Sequence, residues 1–129
     1  MIWEKDIVDY WRQKSADTLI DARILFEKKR LFSCVNRIYY AVFYEVSALL
    51  RTENLSSPKH SGIKSLFFKH FIKTGIVDTE IGKFYSRIFD FRQEGDYDDF
   101  IRFEEEKVRS WLEQAEIYLH VLENLFDKK

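Results

Sequence analysis

The sequence predicts an all-α fold, an up-and-down antiparallel helical bundle of four long helices plus one shorter helix. Three observations carry this. Only 4 Gly and 1 Pro occur in 129 residues, so few breakers punctuate the chain. Between those breakers, apolar residues recur at steps of three and four. The stretches so marked are long and their connections short, which is how antiparallel neighbours in a bundle are joined. The composition fits a packed core: 46% hydrophobic and 17% aromatic residues with a net charge of −1 exclude a disordered chain. Charged residues interrupt every apolar run well short of the roughly 20 residues that a membrane-spanning helix needs. A single domain over residues 1–129 can bury roughly two thirds of its extended surface, so neither a disulfide nor a structural metal is required. The lone Cys34 offers no disulfide framework, and the amphipathic, acidic start MIWEKDIVDYW is unlike a signal peptide. Both point to a reducing cytoplasm.

The elements follow in order. From Trp3 to Lys29 the positions Ile7, Trp11, Ser15, Thr18, Ala22, Leu25 and Phe26 form one stripe, which predicts the first helix. After a break near Arg30–Phe32, the run SCVNRIYYAVFYEVSALLR predicts a second helix ending before Asn54. Ser57-Pro58 reads as the start of a third, because serine caps free backbone N–H groups and proline at the first helical position has none to lose. Gly75 suits its left-handed C-terminal cap. Asp78 or Thr79 starts a fourth helix with Ile81, Phe84, Tyr85 and Ile88 on one face, and Gly95 is expected to close it. An acidic connector, DYDDFIRF, leads to a fifth helix striped by Val108, Trp111, Leu112, Ala115, Tyr118, Leu119 and Leu122.

Three places depart from what a plain bundle needs. On the second helix, at about 100° per residue, Val35, Tyr39, Val42, Val46 and Leu49 centre one face. Arg37, Tyr40, Ala41, Tyr44 and Ala48 centre the opposite one. A helix apolar nearly all round is covered on both sides, either by its own bundle or by a second subunit against the Arg37–Tyr44 face. On the fourth helix, Arg92 falls about 20° from the middle of the apolar stripe. A guanidinium withdrawn from water cannot shed its charge, so it must meet a carboxylate, carbonyl or phosphate. Asp96 and Asp98 are the near carboxylates, and a phosphate is the functional alternative. Finally, Lys59, His60, Lys64, Lys69, His70 and Lys73 fall between Pro58 and Gly75 with no acid among them, whereas acids outnumber bases from Asp90 to Glu106. That positive segment is either a solvated face or a footprint for a phosphate backbone.

Other chemistries are absent from the pattern. The histidines have no metal-ligand spacing, the aspartates lack the glycine and distal glutamate of a calcium loop, and there is no glycine-rich phosphate loop or nucleophile elbow. No metal and no cofactor is expected.

The strings NRIYYAVFYEVSALL, KHSGIKSLFFKHFIKTG and FDFRQEGDYDD, in that order, resemble a HEPN domain of the small stand-alone prokaryotic branch, over roughly Trp11 to Leu125. The resemblance implies a helical bundle, a homodimer, and in many members a metal-independent endoribonuclease toxin neutralised by a small nucleotidyltransferase-like partner. Its catalytic signature is an arginine followed after four to six residues by a histidine. Arg92 matches the arginine. The histidine does not match, since Asp96 and Tyr97 stand in its place, and tyrosine titrates too high to be a good base at neutral pH. His60 is the histidine best placed to arrive from elsewhere.

Two functions follow. The first is a nucleotide- or RNA-binding module, with Arg37, Tyr40, Tyr44, Lys59, His60 and Arg92 as binding residues. The second is an active endoribonuclease in which Arg92 steadies the phosphate while Asp96, Tyr97 or His60 moves protons. The missing histidine favours the first. A purely structural interaction domain is the remaining alternative.

Overall fold

A computed structural model describes residues 2–97 and 103–126, with side chains described for 5–92 and 103–126. Among them every regular element is helical: α1 Ile2–Glu27, α2 Leu31–Thr52, α3 His60–Phe67 running on into a π turn Phe68–Ile72, α4 Thr79–Tyr97, and α5 Glu105–Phe126. This is the expected bundle of four long helices and a shorter one.

The turns explain the boundaries. At the end of α1, Arg30 N–H donates to Leu25 O at 2.9 Å and Lys29 N–H to Phe26 O at 2.9 Å, with Lys29 at φ 57°. The end of α2 repeats this pairing, Leu55 N–H to Leu50 O at 2.9 Å and Asn54 N–H to Arg51 O at 3.0 Å, with Asn54 at φ 59°. Both are Schellman closures, which satisfy carbonyls the helix leaves orphaned. The first turn is so tight that α2 begins at Leu31, within the expected break at Arg30–Phe32. Gly75, at φ +80°, takes the left-handed conformation expected of it. Asp78 Oδ1 accepts the Glu80 N–H at 2.8 Å and caps α4.

Two boundaries differ from expectation. The α3 helix starts at His60, not at Ser57-Pro58. Ser57 Oγ accepts the Lys59 N–H at 3.2 Å and closes a local turn, and Lys59 is still extended at φ −108°, ψ 141°. Nor does α4 end at Gly95. It continues to Tyr97, because a helix tolerates an interior glycine at a cost of about 1 kcal/mol.

The α2 helix is the centre, packed against α1, α3, α4 and α5. Val35, Ile38, Tyr39, Val42, Val46 and Leu49 are buried in one core with Phe67, Phe84, Ile88, Trp111 and Leu122. Each such side chain contributes roughly 1.5–3 kcal/mol on burial. On the opposite face of α2, Ala41 and Ala48 are buried, and Ser15 Oγ of α1 donates to Ala41 O at 2.7 Å. No described helix is long and apolar enough to cross a membrane.

Candidate functional site

Three elements meet near the middle of α2. Tyr39, Tyr40 and Phe43 come from its third and fourth turns, His60 opens α3, and Arg92 lies on the later half of α4. The turn before α3 is what aims His60. It folds so closely over the helix that a Cβ on Gly62 would lie 2.0 Å from Ser57 Oγ and 2.8 Å from Ser57 Cβ, so only glycine leaves room for it.

The histidine is held on three sides. Its Nδ1 is 3.0 Å from the hydroxyl of Tyr39, which is wholly buried. Its ring stacks on Phe43 with centroids 4.2 Å apart and meets Tyr40 edge-on at 5.7 Å. The Arg92 guanidinium lies 4.9 Å from the Tyr39 ring centroid and 5.7 Å from that of Tyr40, so arginine and histidine share the same two rings. Arg37 flanks them, 5.1 Å from the Tyr40 ring, with Nη2 and Nε donating to Asn36 Oδ1 at 2.7 and 3.2 Å.

Burial first, and then the positive charge of Arg92, push the His60 imidazole below its ordinary value. It is therefore neutral at neutral pH. Burial pushes the Tyr39 phenol up, so it keeps its proton. The pair can be wired two ways. If Nδ1–H donates to the Tyr39 oxygen, Nε2 is left free to take a proton; if the phenol donates, Nε2 carries one.

Of the residues singled out from sequence, Arg37, Tyr40, His60 and Arg92 come together. Tyr44 continues the row, its ring 5.8 Å from that of Tyr40. Lys59 is exposed on the turn, and nothing among the described residues ties it to the rings. The side chains of Asp96 and Tyr97 lie outside the described residues. Sequence reasoning missed Tyr39, which it placed on the apolar face of the second helix, and Phe43, which it assigned to neither face. A tyrosine on an otherwise apolar face was the available signal, since its buried hydroxyl needs a partner.

A concavity of about 480 Å³ lies between α1 and α5 and is lined by Arg12, Glu45, Glu116, His120 and Glu123. Its charges answer one another. Arg12 Nε donates to Glu123 Oε1 at 2.9 Å, and Arg23 pairs with Glu116 at 3.1 Å. Glu45 is 2% exposed, and burial together with Glu123 pushes its carboxyl well above the carboxylate range. Among the described residues no group of histidine, cysteine, aspartate and glutamate is placed to hold a metal ion.

A protein of Thermotoga maritima named UPF0332 protein is 48% identical over 124 residues, which is 96% of this chain and 94% of its own. Two proteins of Methanocaldococcus jannaschii carrying the name "Putative toxin" are each 34% identical, over 108 residues (84% of this chain, 74% of theirs) and 103 residues (80% and 76%). The HEPN domain matches residues 8–125, a span that holds every residue of the ring-and-cation cluster, and the chain belongs to the HEPN family.

Proposed function

We propose that this HEPN protein acts on RNA, and that His60 supplies the proton-transfer group which the position after Arg92 lacks. The observation that carries the reading is the shared use of the Tyr39 and Tyr40 rings by Arg92 and His60, which puts a fixed cation beside a neutral imidazole.

Those groups suit phosphodiester cleavage by the neighbouring 2′-hydroxyl. In the tautomer whose Nδ1–H donates to Tyr39, His60 Nε2 takes the 2′-hydroxyl proton as the 2′-oxygen attacks phosphorus. Arg92 stabilises the charge that gathers on the phosphoryl oxygens, and Arg37, which also lies against Tyr40, can share it. The bond from phosphorus to the 5′-oxygen then breaks, and that oxygen takes a proton from solvent. The products are a 2′,3′-cyclic phosphate and a 5′-hydroxyl. The step needs no metal. The argument against an enzyme was the absent histidine, and His60 weakens it.

Relatives bearing a toxin name support a toxin role for this chain. The family resemblance supports a homodimer and a small nucleotidyltransferase partner that neutralises it.

The test is incubation of the purified protein with a mixed-sequence RNA, with and without EDTA. Cleavage that persists in EDTA, leaves cyclic phosphate ends and falls by about 100-fold or more in both His60→Ala and Arg92→Ala is expected. An unchanged rate in His60→Ala would remove the proton-transfer role. RNA bound but never cut would leave the binding module as the function.

A further inference from the structure

We propose that the site continues across α2 onto α1 as a stacking track for single-stranded RNA, with Tyr44, Trp11 and Tyr10 as base platforms and Lys14 as the phosphate contact. This rests on RNA being the ligand of the Arg92–His60 site.

The rings run without a gap from that site. Tyr40 and Tyr44 are 5.8 Å apart, Tyr44 and Trp11 5.3 Å, and Trp11 and Tyr10 5.6 Å. Tyr10, at the far end, is 59% exposed, a large aromatic left in water where the core does not need it. Lys14 projects among the last three rings, its Nζ 4.9 Å from the Tyr44 centroid, 5.5 Å from Tyr10 and 5.7 Å from Trp11.

The partners of these cations set the row apart from the rest of α1. Lys5 is paired with Asp9 at 2.9 Å, and Arg12 reaches Glu123. Among the described residues no carboxylate pairs with Lys14 or Arg37, which face rings instead. Aromatic rings interleaved with cations whose charge no carboxylate neutralises match a polymer that presents a flat base and a phosphate at every unit. Stacking tolerates any base, because every base has a π face. An apolar peptide would use the rings and gain nothing from the two cations.

The experiment measures binding of a fluorescent 2′-O-methyl octauridylate, which resists cleavage, beside cleavage of a uridine dinucleotide, which spans only the Arg92–His60 end. Tyr10→Ala and Lys14→Glu change exposed or half-exposed groups; Trp11→Ala removes the central ring. Octanucleotide affinity is expected to fall about fivefold or more in Trp11→Ala and Tyr10→Ala, and to show a salt dependence shallower by about one phosphate contact in Lys14→Glu, while dinucleotide cleavage stays as in the parent. Unchanged octanucleotide affinity in Tyr10→Ala and Lys14→Glu overturns the track, and with an intact effect of Arg92→Ala it leaves the catalytic reading standing. Binding to neither RNA removes both readings. A drop in sedimentation mass alongside the lost affinity makes the face an interface between copies, and overturns the track as well.

Discussion

The α2–α3–α4 end and the α1–α5 seam both take titratable groups partly out of water, and they do opposite things with them. In the seam, Arg12 and Arg23 end on Glu123 and Glu116, and Glu45 beneath them is driven to hold its proton. At the other end, Arg37 and Arg92 lie over tyrosine rings, and His60 is driven to release its proton. One effect acts in both places, because burial penalises whichever form is charged. The neighbours decide the consequence. Carboxylates answer the seam's cations and make it a fastening. At the other site tyrosine rings pack against the cations.

That contrast breaks if the two arginines are interchangeable. Arg92→Ala is expected to lower RNA cleavage by about 100-fold or more, while Arg12→Ala leaves cleavage unchanged and lowers stability by about 1 kcal/mol in urea unfolding. Next in size is Glu45→Gln. The folded carboxyl keeps its proton where the unfolded one has lost it, so parent stability falls as pH rises from the ordinary carboxylate range to about 9. The amide has no such proton. Thermal midpoints across pH 5 to 9 should therefore fall in the parent by about 5 °C or more relative to the variant; parallel curves would show that Glu45 is ionised in the fold.

Smaller effects sharpen the comparison. Gly62→Ala drives a methyl into Ser57 and must shift the turn that aims His60, so cleavage should drop by more than stability does. Equal losses would mean the turn only holds the fold together. Replacing Arg92 with Gln should raise the His60 pKa in an NMR titration, since the charge that opposes its protonation is gone. In the parent, cleavage should accordingly be complete at neutral pH and be lost on acidification below the usual histidine range. Least visible is Cys34, whose thiol burial pushes up to about 12: its alkylation should wait for unfolding.

The helices were legible because their signals are local. Apolar steps of three and four, the Asp78 cap and the left-handed Gly75 each act within a few residues. Where two local signals compete, the outcome was less legible. Ser57-Pro58 resembles a helix start, yet the Ser57 hydroxyl bonds the Lys59 N–H and delays the helix to His60. The inward placement of Arg92 also came from the wheel, as did the row Arg37, Tyr40, Tyr44. The roles of Tyr39 and Phe43 did not, because a residue facing the core looks the same whether it packs or also holds a histidine.

Sequence alone determined five helices, the apolar faces that join them, and an arginine on the wrong side of α4, since periodicity and capping are properties of neighbouring residues. Only the tertiary structure decided that His60, thirty-two positions before Arg92, shares its rings, and that burial pushes the Glu45 carboxyl up and the His60 imidazole down. Those outcomes depend on how far each group is withdrawn from water and which charges face it, and both are set by packing between helices.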